Sequence, residues 1–389
     1  MKSPPRYILP VIVAAQFAGT SLWFAGNAVM PDIAALWSLP DGALGWVTSS
    51  VQLGFITGTL LGAVTMLTDR VSGRVVFLVG ALLGALANSI PLVSPGLTTL
   101  LFSRFVVGVA LAGIYPVGMK LAASWYQAGL SRALGWLVGA LVLGTALPHL
   151  IRGLGSGLPW SDVLGVVSVL AVLGGVAVAA FVPEGPHVKR SAEFDPRAIL
   201  SIFGSRDFRS AALGYFGHMW ELYAFWALVP ALVLTRASAS SMGAFTVIAL
   251  GAVGCVVGGV VALRVGAARV AVVQLALSGT LALTAPIWMR APTPVALALL
   301  AVWGISVVGD SPQLSTLTAR TAPKELVGSG LTIVTSLGFA ITIASIELTS
   351  WLARTWDVRD VMPVLALGPL CGLFASRFIL ANDPTRVAE

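Results

Sequence analysis

The chain has 389 residues, 57% of them hydrophobic and only 10% charged, with a mean hydropathy of +0.93 and a formal net charge of +7. A soluble domain carries about a quarter charged residues, so lipid is the expected solvent, and about twelve apolar stretches of roughly 20 residues leave no length for a soluble catalytic domain. The pI near 9.9 does not signal nucleic acid, because the basic residues occur singly in short loops rather than in a run that tracks a phosphate backbone.

In chain order the first six predicted helices take residues 7–36, 43–67, 75–93, 97–119, 132–154 and 161–183. The second six take 208–234, 240–264, 269–289, 293–319, 326–353 and 358–380. The first, which follows Lys2 and Arg6, is too long for a signal-peptide core, is expected to remain in the protein, and must tilt or include an interfacial turn. Placing the N-terminus in the cytoplasm puts seventeen of the 23 basic residues on that side and five outside, with Arg104 inside a helix, and this asymmetry sets the orientation with both termini cytoplasmic. The longest polar stretch, Glu184 to Arg209, divides the helices six and six. The expected domains are therefore residues 1–183, a cytoplasmic linker at 184–207, and residues 208–389.

A shift of 196 residues superposes Gly58 on Gly254, Gly62 on Gly258, Gly108 on Gly304, Gly113 on Gly309 and Pro116 on Pro312. These matches pair helix 2 with helix 8 and helix 4 with helix 10, as a six-plus-six duplication requires. The two cysteines, Cys255 and Cys371, lie in apolar stretches without metal-ligand spacing and read as small core residues.

Between helices 2 and 3, "TDRVSGR" carries Asp69, Arg70, Gly73 and Arg74, and in helix 4 "RFVVGVALAG" sets Arg104 ahead of regularly spaced glycines. Together with two six-helix halves, a basic central loop and cytoplasmic ends, these stretches resemble the major facilitator superfamily over essentially the whole chain. Asp69, Arg70, Gly73 and Arg74 are similar to that family's D-R-x-G-R loop, with one extra residue between the pairs and Thr65 where the family carries a glycine. The resemblance implies an all-α membrane protein of twelve transmembrane helices in two pseudo-symmetric bundles. It further implies that helices 1, 4, 7 and 10 line a cavity opened to alternate sides by rocking of the halves, and it gives Asp69, Arg70 and Arg74 a gating role, against the simpler reading that they set topology.

Charges within a membrane are expensive and turn inward. Glu221 lies near the middle of helix 7 within "HMWELYAFW", among Trp220, Tyr223, Phe225 and Trp226, with His218 one turn away. It is the first candidate for carrying a proton or meeting a cationic group, the alternative being a pair with Arg104 or a bond to a neighbouring helix. Arg104 is either a substrate or coupling residue, as the resemblance implies, or a snorkelling arginine that staples helices. Asp310 sits beside the break "DSPQ" and reads equally as a binding residue or as a helix end facing cytoplasmic water. Glu347 in helix 11 is expected to lock the two halves together. On helix 1, Gln16, Thr20, Trp23 and Asn27 recur at three- and four-residue spacing, and of these Trp23 and Asn27 are the candidates for solute contact, followed by Tyr115 beside Pro116. Trp37, Trp46, Trp125, Trp160, Trp288, Trp351 and Trp356 fall near helix ends and read as interfacial anchors.

No phosphate-binding loop, metal-ligand motif or activated nucleophile occurs, so neither ATP-driven pumping nor catalysis is expected, and no cofactor. The expected function is proton-coupled secondary transport of a small organic solute, amphipathic or cationic, with export ahead of uptake. Nitrate carriers of the family it resembles use buried arginines in helices 2 and 8, whereas helix 2 here holds none and Arg264 sits at the cytoplasmic end of helix 8, so the resemblance implies a substrate other than nitrate; copper uptake through His218 and Met219 lacks a repeated ligand spacing. A symporter for a small organic or inorganic ion is the nearest alternative, and a non-transporting receptor or scaffold the alternative of another class. The partners expected are solute, proton and bilayer, for a monomeric, multi-pass protein of the bacterial inner membrane.

Overall fold

A computed structural model of the chain describes residues 5–126, 130–154, 158–187, 202–236, 240–323 and 326–381. Among these residues every regular element is helical. Twelve segments are long and apolar enough to cross a membrane: α1 (Ile8–Leu36), α2 (Ala43–Val64), α3 (Gly73–Val93), α4 (Leu97–Trp125), α5 (Ala133–Leu154), α6 (Trp160–Phe181), α7 (Arg206–Leu234), α8 (Ser240–Val265), α9 (Ala267–Trp288), α10 (Thr293–Thr321), α11 (Val327–Leu352) and α12 (Val358–Leu380). Leu86, Val93 and Ile287 are each at least 70% exposed and stand among many other exposed large apolar side chains on these spans, as suits a hydrocarbon solvent. The chain is a multi-pass membrane protein.

The chain divides into two compact units, Met1–Ser191 and Ala192–Glu389. Most of the expected linker, including Lys189, Arg190 and Arg197, lies outside the described residues. In the first unit α2 packs on α4 and α3 on α6, while α1 packs against α5 and α6; in the second, α7 packs on α12 and α11, and α8 on α10.

Three spans are interrupted. In α1 the helix stops at Thr20 and resumes at Ala25, with the Thr20 and Ser21 hydroxyls donating back to the carbonyls of Gln16 and Ala18. The expected interfacial turn is thus an interior break. In α4 the first segment ends at Ala112, the residue four before Pro116, where the proline ring excludes a continuing carbonyl. In α10 the first segment ends at Gly309 and the second starts at Ser311, followed by Pro312. The α4 and α10 breaks coincide under the 196-residue shift, and so does a second feature. A Cβ on Gly108 would collide with the Val51 carbonyl of α2, and one on Gly304 with the Val247 carbonyl of α8. Backbone-to-backbone approach of this kind is what small residues permit between membrane helices.

Two readings from the sequence are corrected. Cys371 is exposed rather than in the core, because its face of α12 is not covered; Cys255 is buried as expected. Trp288 is not an interfacial anchor: it is 7% exposed, donates to the Leu281 carbonyl and packs edge-on to Trp303 with ring centres 6.1 Å apart.

At the start of α12, Asp357 caps its first short segment, Val358–Val361, by accepting from the Arg359 backbone N–H. The Arg359 guanidinium bonded to it holds its carboxyl down at about 2. A carboxylate held below its unfolded value near 3.9 adds stability that is present above that value and lost as pH falls toward 2. Asp357→Asn should therefore flatten the drop in melting temperature between pH 5 and 2.5, by a small margin because the pair is largely exposed.

Candidate functional site

The second unit brings His218, Glu221 and Asp310 together between α7 and α10. His218 and Glu221, three residues apart, share one face of α7. Glu221, 1% exposed, accepts from the indole N–H of Trp303 in α10 at 2.6 Å and from the Ser278 hydroxyl in α9 at 2.8 Å. Its carboxyl group is thus shared by three helices, and Phe225 stacks on Trp303 with centres 4.3 Å apart. A turn away, His218 Nδ1 lies 2.8 Å from Asp310 Oδ1, both side chains essentially unexposed. That approach is off hydrogen-bond geometry, and neither His218 Nε2 nor Asp310 Oδ2 has a hydrogen-bonding partner among the described residues. The contact is an ion pair whenever the imidazole is protonated.

The expectation that Asp310 faces water at a helix end is corrected. It does stand at the junction of the two α10 segments, but at 0% exposure and against His218, because the break is inside the bundle. Trp220 sits on another face of α7, donating to the Val364 carbonyl of α12. Tyr223 packs on Trp226 and on Phe339 of α11 at 5.3 and 5.2 Å. Glu347 is partly exposed on α11.

In the first unit Arg104 is 1% exposed and donates through Nη2 to the carbonyls of Leu22 and Trp23, at 2.6 and 2.7 Å, and through Nη1 to Asn88 Oδ1 at 2.9 Å. Leu22 and Trp23 are the residues at which α1 breaks, so the guanidinium caps carbonyls that have lost their helical donors. Asn88 donates onward to the Leu164 carbonyl and to Ser168 of α6. Arg104 and Glu221 are each hydrogen-bonded within their own unit, and of the alternatives open for Arg104 the geometry is that of a staple. Asn27 donates to Thr48 of α2 at 2.7 Å, and Trp23 packs on Phe55 with ring centres 5.0 Å apart. Tyr115 opens the second segment of α4, half-buried.

In the loop after α2, Asp69 forms an ion pair with Lys120 at 2.6 Å, whose ammonium also donates to Thr68, while Arg70 and Arg74 are exposed. Lys120 was not among the residues singled out from the sequence. Trp303 and Ser278 were missed as well. A tryptophan in mid-span, away from the interfaces where indoles collect, was the legible signal for Trp303, since its N–H must find an acceptor in hydrocarbon. Ser278 carries no such signal.

Twelve apolar helices in two units, with buried polar and ionisable groups inside the spans, define an integral membrane protein of the transporter type. The family model of the Major Facilitator Superfamily matches residues 12–346, and the chain belongs to that superfamily. It is a transporter of a solute. Over 133 residues it is 36% identical to the niacin transporter NiaP of Acinetobacter baylyi, a stretch covering 31% of this chain and 29% of that protein. The fold is similar to that of the human organic anion transporter MFSD10 (TETRAN), with a TM-score of 0.73 at 15% identity over 97% of this chain and all of that one. It is also similar to a bacterial homologue of the human lysosomal transporter Spinster, inward-facing and unoccupied, with a TM-score of 0.71 at 14% identity over 98% of both chains.

Proposed function

We propose that the protein is a proton-coupled secondary transporter that exports a small organic solute, amphipathic or cationic, by alternating access. The observation that carries this reading is the cluster of two unexposed carboxyl groups, Glu221 and Asp310, the second against the His218 imidazole, with no arginine or lysine paired to either among the described residues. Two carboxyl groups without a fixed cation beside them suit a cationic solute better than an anion, and intramembrane acids mark ion and proton pathways. Glu221 is the proton carrier in this reading: its protonation weakens the bond from Trp303 and so changes the hold of α7 on α10. The engagement of Arg104 with Leu22, Trp23 and Asn88 supports the same substrate charge, since an anion would need that guanidinium free. The halves 1–183 and 208–389, joined by a linker at 184–207, would rock about the solute, with Asp69, Arg70, Arg74 and Glu347 in gating positions and both termini in the cytoplasm of a bacterial cell.

A second reading, uptake of a small carboxylate, draws on the partial match to a niacin transporter. Proteoliposomes under an imposed pH gradient, offered ethidium as the amphipathic cation and niacin as the carboxylate, separate the two. Gradient-driven ethidium flux is expected, falling at least tenfold in Glu221→Gln; undiminished flux in that variant removes Glu221 from the mechanism. Niacin accumulation in place of ethidium flux selects the second reading. Binding of either compound without flux, in wild type and variant alike, turns the assignment toward a receptor.

A further inference from the structure

The first unit holds buried polar atoms that its own fold does not satisfy. Both amide atoms of Gln16 and of Gln52, Asn27 Oδ1, Thr145 Oγ1 and His149 Nε2 are without a hydrogen-bonding partner among the described residues, and all five side chains are at most 5% exposed. A buried polar atom left unpaired destabilises a fold, and inside a bilayer no water relieves it. Five on adjoining helices therefore need a reason outside the fold's own stability.

They lie on α1 and on two helices that flank it, α2 and α5. Asn27 reaches Thr48 of α2, and Gln52 is one turn beyond Thr48 on the same face. Trp23, one turn before Asn27, stacks against Phe55, three residues after Gln52. On the other flank a Cβ at Gly144 of α5 would collide with Thr20 Oγ1, which brings α1 against α5 beside Thr145, with His149 one turn further. The array therefore joins aromatic faces to amides that both donate and accept, and it contains no charge once Arg104 is committed to the α1 break.

From this arrangement we infer that Asn27, Gln52, Thr145 and His149 form a recognition site for an uncharged planar heteroaromatic group with adjacent hydrogen-bond donor and acceptor, such as a carboxamide-bearing or amino-substituted ring. An amide side chain meets such an edge with two bonds at once, as asparagine and glutamine meet adenine, while the Trp23 and Phe55 rings suit its face. The inference rests on the reading of the protein as a transporter of a small organic solute and does not depend on proton coupling.

The test is ligand binding to the purified full-length protein, followed by melting temperature, with nicotinamide and adenine as uncharged probes and nicotinate as the anion on the same ring as nicotinamide. At least one uncharged probe should raise the melting temperature saturably, with nicotinate at least tenfold weaker. Gln52→Met has a distinctive signature: it removes an unpaired buried amide at nearly constant volume, so the ligand-free protein should melt higher while affinity for the uncharged probe falls at least tenfold. Asn27→Leu, which also breaks the bond to Thr48, should lose affinity and melt lower. The inference is overturned if neither uncharged probe binds, if nicotinate binds more tightly than nicotinamide, or if Gln52→Met melts lower or binds as wild type. Binding with the predicted signature but no gradient-driven flux upholds this site and removes the proton reading. Gradient-driven flux with unchanged affinity in Gln52→Met does the reverse.

Discussion

Arg104→Leu should lower the stability of the protein by about 3–5 kcal/mol, seen as a fall of roughly 10 °C in melting temperature in detergent. The side chain makes three short hydrogen bonds from a charged donor, and two of them end on the carbonyls of Leu22 and Trp23, where α1 has no helical donors of its own. Leucine fills the volume but leaves those carbonyls and Asn88 Oδ1 unpaired in a site water does not reach. Arg104→Lys should recover only part of the loss, because one ammonium cannot reproduce the planar fork that spans Asn88 and α1. A cysteine-labelling probe near Trp23 should become more reactive in the leucine variant, since the loosened segment is α1 around its break. Equal melting temperatures for wild type and Arg104→Leu would show the fork to be dispensable to the fold.

Gly304→Leu should abolish transport and either prevent folding or lower the melting temperature by a similar amount. The Cβ alone would collide with the Val247 carbonyl, a backbone atom that cannot rotate away, so α8 and α10 must separate. Their separation would carry Trp303, the adjacent residue, off Glu221. Overpacking in membrane interfaces costs typically 1–3 kcal/mol for a methylene or two and more where backbone must move. Gly259→Leu on α8, where a Cβ would meet nothing within 4 Å, is the matched control and should behave as wild type. If both variants behave alike, the close approach of α8 and α10 has no consequence for folding.

The spans were legible because hydrocarbon enforces a long apolar run whatever the tertiary contacts, and the helix ends from sequence lie within a few residues of those in the structure, apart from α4, which continues to Trp125. The breaks of α4 and α10 were foreshadowed by Pro116 and Pro312, since a missing N–H is a property of the residue itself. The α1 break was not, because no proline or glycine occupies Ser21–Phe24 and the interruption depends on a guanidinium 81 residues along the chain. Candidate site residues were found wherever a charge stood inside a span, as at Glu221, Asp310 and Arg104. Partners were not: Ser278, Trp303, Asn88 and Lys120 are ordinary residues whose roles arise from which helices touch.

Positions 196 residues apart share the α4 and α10 breaks and the glycine contacts, yet α7, the counterpart of α1, runs unbroken from Arg206 to Leu234. At the position corresponding to Arg104 stands Leu300, and at that of Asn88 stands Thr284. The cation is present in the half that has loose carbonyls to hold and missing from the half that has none. Break and fastener thus occur together in one half and are both missing from the other: straightening the first helix would leave the guanidinium without its carbonyls, whereas removing the guanidinium would leave the broken helix with nothing to hold it.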